Sequence, residues 1–127
     1  MEYGYKRQVN LPYPKAVAKI RAALKKQGFG VQTEIDVRST IKEKLGADFD
    51  NYLILGACNP PFAYKALQAE RDIGLVMPCN VIVYEDGGKT FIAATLPTVT
   101  MNVVKNPALA ELAPQVEQRL KTAVDSV

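Results

Sequence analysis

Val81-Ile82-Val83-Tyr84-Glu85-Asp86-Gly87-Gly88-Lys89-Thr90-Phe91-Ile92-Ala93-Ala94 is the stretch that decides the fold class. Two β-favouring runs flank Asp86-Gly87-Gly88, whose glycines supply the positive φ that a tight hairpin needs, so the runs form an antiparallel pair. Upstream, Tyr52-Leu53-Ile54-Leu55 is apolar at every position and reads as a central strand with both faces covered. Val31, Thr33, Ile35 and Val37 alternate with Gln32, Glu34, Asp36 and Arg38, which predicts a strand with one buried and one wet face. Tyr3, Tyr5, Arg7 and Val9 alternate in the same way and give a first strand, closed by Pro12 and Pro14.

Helices fill the intervals. Val17, Ile20, Ala23 and Leu24 recur at helical spacing over 14–27, and Gly28 stops the run. A short helical turn is expected from Thr40 to Leu45, ended by Gly46. Asn59-Pro60-Pro61 opens a further helix, with Asn59 as cap and a proline in the first turn. Asn106-Pro107 opens the last, whose stripe of Leu109, Leu112, Val116, Leu120 and Val124 is interrupted by Pro114, where a kink or break is expected. Strand, helix, strand, strand, helix, strand, strand, helix, with a hairpin among them, gives an α+β fold. Its sheet is mostly antiparallel, of about five strands, with two long helices and one shorter helix packed on one side.

A length of 127 residues suits one domain with a continuous core, and 48% apolar with 23% charged residues is the balance of a globular protein. The N-terminus carries no apolar stretch behind its basic residues, and the run from Tyr52 to Cys58 is too short for a membrane span. The expected setting is the cytoplasm, with no membrane partner and both cysteines as free thiols. Lys15, Lys19, Arg21, Lys25 and Lys26 concentrate positive charge on the first helix, leaving −2 of the +3 total for the rest of the chain. Without interleaved aromatics or a nucleic-acid module the stripe reads as a solvated face, and no nucleic-acid partner is expected.

The chain has no histidine, which removes serine-histidine and cysteine-histidine catalysis and the commonest metal ligand. No phosphate loop or dinucleotide fingerprint is present, and two thiols do not close a zinc site, so no cofactor and no metal are expected. Two segments stand apart from plain scaffold: Gly56-Ala57-Cys58-Asn59-Pro60-Pro61 and Met77-Pro78-Cys79-Asn80. Each places a Cys-Asn pair beside proline at a strand boundary. A helix starting after Cys58 favours its thiolate, although Pro60 and Pro61 bring no N–H groups to help. The plainer reading, that the cysteines are small buried hydrophobes and the asparagines cap or turn residues, stays open. If the strands that end at Cys58 and begin at Cys79 are antiparallel neighbours, the helix between them is an excursion that returns to the same sheet end. The two cysteines then share one rim without a permanent bond.

From Ile35-Asp36-Val37 and Thr40-Ile41-Lys42-Glu43-Lys44-Leu45-Gly46, through Ile54-Leu55-Gly56-Ala57-Cys58-Asn59-Pro60, to Ile73-Gly74-Leu75-Val76-Met77-Pro78-Cys79-Asn80-Val81-Ile82-Val83-Tyr84-Glu85, the chain resembles a small prokaryotic family, domain of unknown function 302. The resemblance implies a compact α+β fold, helices on one face of an antiparallel sheet, and homodimers. Some relatives are associated with sulfur metabolism or redox settings. Two functions follow. One is a dimeric, non-enzymatic binding module whose cleft, lined by Cys58, Asn59, Cys79 and Asn80 with Lys42, Lys44 and Glu70, takes a small-molecule or anionic ligand. The other is a thiol-active redox protein with Cys58 as nucleophile and Cys79 as resolving thiol.

Overall fold

The computed structural model describes all residues, Met1–Val127. Five strands, β1 (Gly4–Val9), β2 (Gly30–Asp36), β3 (Tyr52–Cys58), β4 (Cys79–Asp86) and β5 (Lys89–Thr95), form one sheet in the order β1-β5-β4-β3-β2. Every neighbouring pair is antiparallel. Gly87 and Gly88 both have positive φ, as the β4–β5 hairpin requires. The helices are α1 (Tyr13–Lys26), α2 (Val37–Leu45), α3 (Pro60–Ala69), α4 (Pro97–Thr100) and α5 (Pro107–Asp125), with 3-10 turns at Arg71–Val76 and Asn102–Val104. The architecture is α+β, as the strand and helix order predicts.

Directly opposed residues in a sheet point to the same side. One side carries Leu53, Val83 and Ile92 in one transverse row and Leu55, Val81 and Ala94 in the next, all buried. Ile20 and Leu24 of α1 and Leu120 and Val124 of α5 pack on those rows to make the main core. The C-terminal end of α5 is tied down by β1. Arg7 donates to the carbonyls of Val124 and Val127 at 2.8 and 3.2 Å, and the Tyr5 hydroxyl donates to Asp125 at 2.6 Å. A cation there meets the orphan carbonyls and the negative end of the helix. A smaller cluster of Ala66, Ile73, Met101, Leu109 and Ala113 packs α3 and the turn after it against the first half of α5.

Three local expectations give way to the structure. The register of β2 against β3 shifts between Val31 and Thr33, a bulge that moves the strand by one face. Val31 stays on the helix side with Ala57, whereas Thr33 and Ile35 turn to the other side with Gly56 and Ile54. The expected buried face is thereby split: Ile35 is 49% exposed, Glu34 faces α1 and pairs with Arg21 at 2.7 Å, and Val37 has left the strand for α2. That helix starts three residues before the expected Thr40, because Asp36 accepts from the Ser39 amide and caps it. Pro114 does not break α5, which runs unbroken through nineteen residues. The proline lies on the exposed side of the helix, where water reaches the carbonyl of Ala110 that its missing N–H leaves without a partner.

The bulge also brings β2 close over Gly56. A Cβ at that position would collide with Oγ1 of Thr33 and lie 2.7 Å from Cγ of Pro78. Gly56→Ala is therefore expected to destabilise the fold by about 1–3 kcal/mol, the usual cost of overpacking. Thr33→Ala in the same chain should recover part of the loss. Thermal or urea unfolding of the two variants checks this, and an unchanged midpoint for Gly56→Ala would contradict the close approach.

Candidate functional site

Antiparallel pairing of β3 and β4 makes α3 a return excursion, so Cys58 and Cys79 come to one end of the sheet. Ala57 is the register partner of Cys79. Both cysteines are free and border the same cavity beneath α3, with Phe29, Phe62, Met101 and Val116 among its walls. That cavity is nearly all apolar and measures about 30 Å³, room for about a single water. Burial, and next the neighbouring Cys58, push the Cys79 thiol up to about 11. Asn59 is also committed. It does not cap α3 with its side chain as expected; it is 7% exposed, and its amide donates to the carbonyl of Gln27 at 3.2 Å. Arg119 reaches the same carbonyl at 3.3 Å and sits over the Phe62 ring, 5.5 Å from its centre. Asn59 thus latches the end of α1 to the β3–α3 junction.

The remaining expected residues lie elsewhere. Asn80 is opposed to Gly56 on the other side of the sheet from the Cys79 side chain and is exposed. Lys42 pairs with Asp48 at 3.2 Å on the surface of α2, where Lys44 is exposed as well. Glu70 marks the junction between α3 and the following 3-10 turn and does not line the cavity. The seven residues expected to line one cleft do not form one.

A larger concavity lies on the sheet face that α1 and α5 leave uncovered. Two transverse rows cross this face, Ile35-Ile54-Ile82-Ala93 and Tyr52-Tyr84-Phe91. The Tyr52 and Tyr84 rings stack at 5.2 Å and 15°, Tyr84 and Phe91 at 5.2 Å and 23°, and Phe49 extends the row at 6.3 Å from Tyr52. Over the β1 half of the face is an open groove of about 490 Å³, lined by Tyr3, Lys6, Tyr52, Asn80, Ile82, Tyr84 and their neighbours. Lys6 donates to the Tyr84 hydroxyl at 3.3 Å and lies 5.2 Å from the Phe91 ring centre. Burial raises the Tyr52 hydroxyl above its ordinary value, with Tyr84 and Tyr3 adding to the shift. Reading the residues singly misses this groove. The signal was there, in strands apolar at every position set beside only one layer of helices.

No group of three or more Cys, Asp or Glu side chains is placed to hold a metal ion. No helix is long and apolar enough to cross a membrane. Among solved structures, an uncharacterized conserved protein DUF302 from Bacillus stearothermophilus is similar, with a TM-score of 0.92 and 32% sequence identity over 98% of each chain. The comparison with curated proteins finds no match. A family model, Domain of unknown function DUF302, matches residues 5–127, so on sequence and on fold the chain belongs to that family.

Proposed function

We propose that the protein is a non-enzymatic binding module that works as a homodimer and whose ligand surface is the uncovered face of the sheet. The observation that carries this is the contrast of space: about 490 Å³ on that face against about 30 Å³ beside the cysteines. A ligand of even a few heavy atoms fits the first and not the second. Burial also holds Cys79, the resolving thiol of the redox reading, in its neutral form, in which it is a poor nucleophile. Self-association is supported at the opposite end of the face. Ile35, Leu45 and Phe49 are 49%, 78% and 47% exposed between β2 and the start of β3, and β2 is an edge strand with a free row of backbone groups. Two copies meeting there leave the groove over β1 open.

Three outcomes are expected. A thermal-shift screen of small molecules on the full chain should yield compounds that raise the melting temperature of the wild type and of Cys58→Ser but not of Thr95→Trp, which fills the groove. Compounds lost in Cys58→Ser and kept in Thr95→Trp would return the site to the cysteine cavity. Light scattering should give a dimer mass that Ile35→Lys with Phe49→Lys converts to a monomer; a concentration-independent monomer mass for the wild type would remove the dimer.

The third concerns pH. Cys79 shifts from 9.0 to about 11 in the folded chain, so the folded state holds its proton more tightly than the unfolded state. Its contribution to stability is complete below pH 9 and is lost as pH rises through about 11. The melting temperature should fall over that window, and less so in Cys79→Ala. Native Cys79 should resist iodoacetamide at pH 7 and react once unfolded. Labelling of either thiol at pH 7 faster than free cysteine would restore the redox reading.

A further inference from the structure

We propose that residues 60–76, α3 with the 3-10 turn after it, are a lid that opens as one unit from the body of the fold and gates the cysteine cavity. This is a property of the helix side and does not depend on the ligand surface of the uncovered face. The cavity has its roof on the segment and its walls on the body: Phe62, Ala63 and Ala66 line it from α3, and Phe29, Cys79 and Val116 from other elements. The segment leaves the sheet at the end of β3 and rejoins it at the start of β4, and those strands are neighbours. Both of its ends therefore lie at one end of the sheet, and it can lift from there without breaking a strand pair. The fixed side of the hinge is firm, because the Asn59 amide is held by the carbonyl of Gln27.

Little holds the segment down. α3 buries one residue, Ala66, and the turn buries Ile73, against four buried residues on α1 and six on α5. Ala66 and Ile73 belong to the smaller cluster with Met101, Leu109 and Ala113, and of the whole segment only the half-buried Phe62 packs against the main core. Its backbone hydrogen bonds run within the segment or to the flanking Asn59 and Met77, so they do not tie it to the body. No ion pair reaches it. One side-chain hydrogen bond does, from the Asn106 amide to the carbonyl of Ala69 at 3.0 Å, and Arg119 lies over the Phe62 ring. Opening thus exposes Ala66, Ile73 and Phe62 and breaks one hydrogen bond, whereas lifting α1 or α5 dismantles the main core. A unit with so few buried apolar contacts opens at a lower free energy than the chain as a whole.

The test is iodoacetamide labelling of two full-length chains that carry Cys58→Ser and Cys79→Ser, one with Ala66→Cys under the lid and one with Ala123→Cys in the main core. Those alanines are 4% and 1% exposed, so either thiol reacts only through an opening. Labelling is followed at rising urea below the unfolding transition. The Ala66→Cys chain is expected to react at least about tenfold faster than the Ala123→Cys chain. Its rate should change little with urea, since lid opening exposes little surface, while that of the Ala123→Cys chain should rise steeply. Asn106→Asp keeps the oxygen that caps α5 at the Ala108 amide and removes the donor to Ala69. It should speed labelling of the Ala66→Cys chain by about fivefold, the weight of one hydrogen bond, and leave the Ala123→Cys chain unchanged. In the wild type, a detached helix of ten residues is marginal in water, so the amides of Tyr64 to Ala69 should exchange with the same flat urea dependence. That measurement stands even where a cysteine variant does not fold. Equal rates and urea slopes for the two thiols, labelling of the Ala66→Cys chain indifferent to Asn106→Asp, or α3 amides that exchange only through global unfolding would each overturn the lid.

Discussion

One layer of helices covers one face of a five-stranded sheet, and the rest of the molecule depends on that constraint. Ile20, Leu24, Leu120 and Val124 bury the rows led by Leu53 and Leu55, and most of the apolar surface lost to folding is lost there. The central strands are nevertheless apolar on both sides. The alternation that puts Leu53, Leu55, Val81 and Val83 into the core puts Tyr52, Ile54, Ile82 and Tyr84 onto the other face. An ordinary antiparallel sheet with one wet face carries polar residues at those positions. Here Lys6, Gln8, Thr33, Asn80 and Thr95 are the polar exceptions, set around the aromatic and aliphatic rows.

The same antiparallel order explains why the two cysteines meet at one end of the sheet. Returning through α3 to the sheet end it left, the chain sets Cys79 one register step from Cys58. It also folds α3 and α5 over that end, so that Phe62, Met101 and Val116 wall the small cavity that both residues border. The packing at this end removes water from the Cys79 thiol, and burial is the main cause of its raised value.

Much of the fold is legible in the chain because its signals are local. Asp86-Gly87-Gly88 specifies the hairpin, Asn106-Pro107 the start of α5, and the apolar spacing of Val17 to Leu24 the face of α1. What was not legible depends on partners distant in sequence. The bulge at Val31–Thr33 leaves no mark in an alternating pattern, since each residue keeps its character while its face changes. Asn59 has the residue type of a cap, and the carbonyl it serves belongs to Gln27, thirty-two positions earlier. The candidate site shows the same division. The shared rim of Cys58 and Cys79 follows from strand direction, but Lys42, Lys44 and Glu70 lie away from it, and no local pattern shows which surface a charged residue will face.

Charge is placed unevenly around the sheet. The basic stripe of α1 lies on the helix side, where Arg21 is neutralised by Glu34 and its lysines are solvated at the surface. Attraction between such exposed lysines and an anion is screened by salt and lost to competing water. Lys6 stands on the opposite face at the end of an aliphatic row, with Phe91 and Tyr84 beside its ammonium. Lys6 is exposed like the lysines of α1, so water and salt screen its charge as they do theirs. The strands beneath are fixed by a continuous ladder and a packed core on their far side, so the rings of this face are held in place. A surface held in this way has little ordering entropy left to lose on contact with any partner.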